Sequence, residues 1–208
     1  MSSTKAVKKE LSTIAWLIEA LDGYRVGRTI NPKMVMKKVN QVEHVFEPKV
    51  MHAKKVIRQT TDYIANLPAR DPTARKWVSV YLFNKLLLRI TITLFLFSFF
   101  FLSKGYEIGF TLLYIATAIL YVVLIVRWYS LNKILFFYEK NYKLMEGASR
   151  RLKAYTQHLI EYMRKIIAKE NFKTSKYKLH LFNTDYDHIK VLKKPGLLRD
   201  YYLCEIQL

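Results

Sequence analysis

Two long apolar runs without a single charge constrain this chain more than any other feature. Residues 90–103 form a run of 14 and residues 108–126 a run of 19, separated by Lys104, Gly105, Tyr106 and Glu107. At 1.5 Å rise per helical residue, the second run spans about 28 Å, matching a bilayer core of about 30 Å. The first covers only about 21 Å beyond Arg89. The pattern predicts an all-α membrane protein built on a two-span transmembrane helical hairpin. Amphipathic helical flanks and a short extended or β C-terminal arm complete it. The expected segments are 1–70 for the N-terminal helices, 71–133 for the hairpin, 134–170 for a long heptad-patterned helix, and 171–208 for the arm.

Charge then says where the flanks lie. The chain carries a net charge of +19, distributed as +8 over residues 1–78, +2 over residues 79–126 and +9 over residues 127–208. Both flanks are therefore basic. The positive-inside rule puts both termini on the matrix or cytoplasmic side, with a mitochondrial inner membrane favoured over a prokaryotic plasma membrane. A basic balance of this size draws anionic lipid, acidic protein surfaces or nucleic acid. The plainest account of it is positive-inside flanking alone.

The flanks carry their own punctuation. Leu11, Ile14, Trp16, Ile18 and Leu21 predict an amphipathic helix over residues 4–21, with Gly23 as a left-handed cap. Pro32 can open a second helix, and Pro48 interrupts or restarts the pattern before it continues to Pro68. Asp71 and Pro72 mark the start of the first span, as cap and first helical residue. Beyond the second span, Leu131, Tyr138, Met145, Leu152, Leu159 and Ile166 recur every seven residues. This seam predicts a helix running unbroken from the bilayer to about Glu170, with Gly147 as its weak point. It can pair with a copy of itself, with the N-terminal helices or with another subunit, and the many aromatic residues along it favour the last two. The last forty residues alternate like short strands around turns at Asn183–Asp185 and Lys193–Gly196. So small a sheet needs support from elsewhere.

No reaction centre emerges. Glu43, His44, Glu47 and His52 come nearest to a metal set, but the spacing matches no zinc or di-iron pattern. Asp185, Asp187 and His188 fit a polar turn. There is no phosphate-binding glycine loop, and the lone Cys204 excludes an internal disulfide. Thr91, Thr93, Ser98, Thr111 and Thr117 lie in the apolar runs without an acid or histidine, which argues against an ion relay. Neither a catalytic residue nor a metal ligand is expected, and no cofactor beyond a bound lipid.

The sharpest expectation is a phosphate-binding rim at the inner interface. Lys85, Arg89, Arg127 and Lys133 supply charge there, and Trp77, Tyr81, Trp128 and Tyr129 supply interfacial aromatics. Equal helix lengths from the tip would set Lys85 level with Arg127 and Arg89 a turn deeper. Cardiolipin or another anionic phospholipid is the expected ligand. The leading functional expectation is a non-catalytic accessory subunit of a multisubunit membrane complex. In style the chain is similar to the small basic, aromatic-rich subunits of mitochondrial respiratory and ATP-synthase assemblies. Three features motivate this: no catalytic set, apolar stripes left unburied outside the membrane, and an arm that cannot fold alone. A membrane tether for ribosome or nucleic acid ranks second, and a metal-dependent or lipid-modifying membrane enzyme third.

Overall fold

In the computed structural model, which describes residues 2–46, 52–196 and 199–208, the chain is mostly helical. Six α-helices precede a small antiparallel sheet. They are α1 (Ser2–Arg25), α2 (Pro32–Gln41), α3 (Ala53–Asn66), α4 (Pro72–Ser103), α5 (Ile108–Lys140) and α6 (Tyr142–Lys169). The strands are β1 (Leu179–Leu181), β2 (Ile189–Lys193) and β3 (Tyr202–Ile206), in the order β1-β3-β2. Residues 1–66 and 141–208 form one compact unit, and residues 67–140 form another.

The first unit is assembled around α1. Leu11, Ile14, Leu17, Ile18 and Leu21 are fully buried, and so are Leu152, Leu159, Ile160 and Met163 of α6. α6 is the main neighbour of α1, with α2, α3 and β1 around the remainder. The sheet closes this core with Leu179, Leu181 and Cys204, all fully buried. β1 and β3 pair in antiparallel register, Leu179 opposite Cys204 and Leu181 opposite Tyr202. The apolar stripes expected to lie open are thus buried against one another, and the arm expected to need an outside partner is supported by α1. The physical cause is largely non-local: the stripe of α1 finds its main complement in α6, more than a hundred residues away.

Local signals set most helix ends. The Asn31 side chain accepts from the Lys33 amide at 2.9 Å, with Pro32 in the first helical position. α1 does not stop at Gly23. It runs to Arg25, and Gly27 takes the left-handed position (φ 78°). The Gly27 amide donates to the Tyr24 carbonyl at 3.1 Å and the Arg28 amide to that of Gly23 at 2.9 Å, a Schellman cap. Gly23 instead allows a close approach. A Cβ there would lie 3.2 Å from the Arg28 carbonyl oxygen and 3.7 Å from the Phe182 ring. The expected break at Pro48 lies outside the described residues.

The helix expected to continue unbroken past the second span is interrupted at Asn141, which sits at φ −106°, ψ 27°. Its carbonyl accepts from the Leu144 amide at 2.9 Å and so begins α6. Asparagine favours helix ends over interiors, whereas Gly147 remains inside α6.

The second unit contains α4 and α5, packed antiparallel. Asp71 caps α4 by accepting from the Ala74 amide at 2.8 Å. At the tip Gly105 is left-handed (φ 76°), and the Tyr106 amide donates to the Phe101 carbonyl at 3.0 Å. Apart from Ala74 and Tyr138 near the feet, the buried residues fall at heptad spacing: Asn84, Thr91 and Ser98 on α4, and Gly109, Ala116, Val123 and Ser130 on α5. Small side chains let the two backbones approach closely. The seam hydroxyls donate within their own helices, as Thr91 does to the Leu87 carbonyl and Ser98 to that of Leu94. The Asn84 amide crosses to the Val123 carbonyl at 2.7 Å.

Outside that seam the faces of both helices are mostly apolar and open. Leu96, Tyr114 and Tyr121 are each about two-thirds or more exposed. Only 11% and 17% of the most apolar windows of α4 and α5 are buried, unlike the core helices of a water-soluble fold. Both helices are long and apolar enough to cross a membrane, and their open faces suggest a membrane location.

Candidate functional site

The cations and aromatics at the foot of the hairpin separate into two groups. Trp77 of α4 meets Tyr129 of α5 edge-to-face, with centroids 5.2 Å apart, and the Lys133 ammonium lies 5.2 Å from the centre of the same Tyr129 ring. Arg127 instead lies over the Tyr81 ring at 5.4 Å and donates to its hydroxyl at 3.4 Å. Arg127 and Lys133 are six residues apart, which turns them about 120° from each other around α5. They therefore do not form one rim. Trp128 is exposed, with no ring contact among the described residues.

The register also differs from the expected one. The Asn84–Val123 bond and the Tyr81–Arg127 contact put Tyr81 near the level of Arg127. Lys85 then lies about one turn, and Arg89 about two turns or 12 Å, further toward the tip. The helices close according to their small seam residues rather than by equal lengths from the turn. Tyr81, Lys85 and Arg89 are four residues apart and follow one side of α4.

Both Lys85 and Arg89 are exposed. Neither side chain makes an ion pair or hydrogen bond among the described residues. From residue 72 to residue 133 the sole acid is Glu107, at the opposite end of the hairpin. Two cations thus stand on an apolar surface with no carboxylate from their own unit.

The heptad seam divides likewise. Met145, Leu152 and Leu159 are at most 1% exposed, in the unit where α6 packs on α1 and α3. Tyr138 is buried, while Leu131 and Ile166 are half-buried.

A second polar constellation escaped the sequence reading because its members are remote in the chain. The fully buried Asp22 carboxylate accepts hydrogen bonds from the Tyr186 hydroxyl (2.7 Å), the Asn183 side-chain amide (2.8 Å) and the Phe182 backbone amide (2.5 Å). Arg25 binds Asp185 with both terminal nitrogens, at 2.8 and 2.7 Å, and Lys153 reaches Asp185 at 2.9 Å. Burial pushes the Asp22 carboxyl above its ordinary value, partly offset by Tyr186, Asn183, the Phe182 amide and Arg25. Hydrogen bonds from Arg25, assisted by Lys153, hold Asp185 well below the usual carboxylate range. The two acids and two bases balance in charge and satisfy one another. This cluster fastens the 182–186 loop to α1.

Of the candidate metal residues, Glu43 and His44 are engaged elsewhere and His52 is exposed. Glu43 pairs with Lys54, and His44 Nε2 lies 2.9 Å from Glu10 Oε1, while Glu47 is outside the described residues. Among the described residues no three His, Cys, Asp or Glu side chains are grouped to hold a metal. No protein-family model, curated protein or solved structure matches this chain.

Proposed function

We propose that the chain is an integral membrane protein acting as a non-catalytic accessory subunit of a larger membrane complex, with an anionic-lipid site at Lys85 and Arg89. The lipid site rests on the depth of these cations, and the subunit role on the open apolar faces of α4 and α5. The cations lie one and two turns inside the level of Arg127, on an open apolar face, without a carboxylate. A cation within a span costs about 2.5–3.5 kcal/mol on insertion scales, relieved by snorkelling, local thinning of the bilayer and a paired anion. A phospholipid phosphate drawn to Lys85 and Arg89 supplies that anion, and Arg127 on Tyr81 continues the basic side toward the interface. Cardiolipin, with two phosphates, suits two cations a turn apart.

Both basic flanks then lie on the matrix or cytoplasmic side, with the mitochondrial inner membrane the favoured location. Contacts with other subunits fall to the open faces of α4 and α5, since Met145, Leu152 and Leu159 are occupied within the chain. Two measurements test the reading. Native mass spectrometry of the purified protein should show co-purified anionic lipid that is lost in Arg89→Ala but kept in Lys133→Ala. Blue-native electrophoresis of a mild membrane extract should place the chain in a species far larger than itself. Migration as a small free protein would refute the subunit role.

A further inference from the structure

Lys33, Lys37, Lys54, Lys55 and Arg58 line an open groove of about 720 Å³ between α2 and α3. That volume lies in the range of small-molecule sites, roughly 300–1,000 Å³. The groove follows from the amphipathic pattern of its two walls. Val35 and Val39 of α2 and Ile57 and Ile64 of α3 point into the core. The opposite sides carry the cations at helical spacing. Met36 supplies an apolar patch between them.

The electrostatics of the groove are unfavourable when it is empty. Lys33 and Lys37 are a like-charge i,i+4 pair, and so are Lys54 and Arg58. Such pairs destabilise a helix by a few tenths of a kcal/mol each. α2 contains no acid, and Lys33 stands in its first turn, where the helix dipole disfavours a cation and favours an anion. One carboxylate belongs to the lining itself, Asp62 at 3.8 Å from Arg58, and a second, Glu43, pairs with Lys54 from outside it, so the five cations still outnumber the acids. Lys33, Lys37 and Lys55 have no ion pair among the described residues.

We infer that this groove is a binding site for a compact polyanion bearing two or more phosphate groups, either a soluble phosphate compound or a phosphorylated lipid head group. Cations on two facing walls require charge on both sides of the ligand. The concavity suits a compact ligand over an extended strand. The site does not depend on the membrane role of the hairpin.

The test uses the full chain in nanodiscs of uncharged lipid, with inorganic tripolyphosphate as probe at fixed ionic strength. Tripolyphosphate should bind and raise the unfolding temperature, and orthophosphate should do so at least tenfold more weakly. The exposed pair Lys37→Glu with Lys55→Glu should lower affinity at least tenfold with an unchanged circular dichroism spectrum. The charge-matched pair Lys190→Glu with Lys193→Glu on β2 should leave affinity unchanged. Nanodiscs containing a phosphatidylinositol bisphosphate distinguish the sources: if they compete with tripolyphosphate the ligand is a head group, and if they do not it is soluble. Equal losses in the two charge-reversed proteins would mean bulk attraction alone and overturn the proposal. So would a single-stranded oligonucleotide that displaces tripolyphosphate at equal phosphate concentration.

Discussion

The Asp22 carboxylate accepts a 2.7 Å hydrogen bond from the hydroxyl of Tyr186, a residue 164 positions later in the chain. Through this contact and its neighbours, the C-terminal sheet becomes part of the N-terminal helical core. Removing one partner of such a buried network leaves the others desolvated and unpaired, which costs more than the bond itself. Asp22→Ala should destabilise the first unit by about 3–5 kcal/mol and Tyr186→Phe by about 1–2 kcal/mol. Denaturant unfolding followed by far-ultraviolet circular dichroism measures both. Equal, small effects would remove the cluster from the stabilising account.

Asp185 and Asp22 should respond to acid in opposite directions. Arg25 depresses the folded-state pKa of Asp185, so its stabilising contribution is present above the unfolded value near 4 and is lost as pH falls below it. Burial raises the folded-state pKa of Asp22, so protonation on acidification relieves rather than weakens the fold there. Thermal midpoints from pH 7 to pH 3 should therefore show the gap between wild type and Asp185→Asn narrowing below about pH 4. A gap that stays constant or widens would contradict the Arg25 pairing.

Cys204 should be chemically silent in the native protein. It is fully buried, and burial pushes its thiol up to about 11, with the nearby Asp22 carboxylate adding to the shift. The thiolate is the reactive form, so little is available at pH 8. Maleimide labelling should be negligible until denaturant is added and then rapid. Prompt labelling without denaturant would show that the sheet opens readily.

The hairpin should be sensitive at two seam positions. A Cβ on Gly109 would lie 2.7 Å from Leu102 Cγ and 2.8 Å from the Leu102 backbone nitrogen, so Gly109→Val forces the helices apart. Overpacking of this kind costs about 1–3 kcal/mol. Asn84→Leu removes the bond to the Val123 carbonyl, worth roughly 0.6–2 kcal/mol in a membrane-like medium. In a Trp16→Phe, Trp128→Phe background, fluorescence of Trp77, packed on Tyr129, reports separation of the helix feet as denaturing detergent is added. Gly109→Val should shift the midpoint further than Asn84→Leu.

Asn31 with Pro32, Asp71 with Pro72, and Gly105 at the tip each decide a helix boundary through bonds to residues a few positions away. Such boundaries are legible in the sequence because their physics is local. The two uncharged runs likewise determine helices with open apolar faces, β1 lies in the alternating stretch around Leu179–Leu181, and β2 and β3 lie within the arm expected to be extended or strand.

The choice between Gly23 and Gly27 as the end of α1 was not local. Both glycines tolerate a left-handed backbone; Gly27 takes it and closes the Schellman bonds, while Gly23 stays helical and lets Phe182 and the Arg28 carbonyl come close. The depth of Arg89 was equally hidden. It depends on which small residues of α4 and α5 meet, and the Asn84–Val123 bond records that register.

Composition and periodicity therefore determined most of the helices, the hairpin turn and the lack of acids near Lys85 and Arg89, but not the break between α5 and α6 at Asn141. Tertiary structure decided that α6 and the terminal sheet close on α1, that Arg127 stacks on Tyr81 of α4, and that Asp22 anchors the 182–186 loop. The reason is physical: caps and apolar runs act over a few residues, whereas a buried carboxylate takes its donors from whatever the fold brings beside it, here from the far end of the chain.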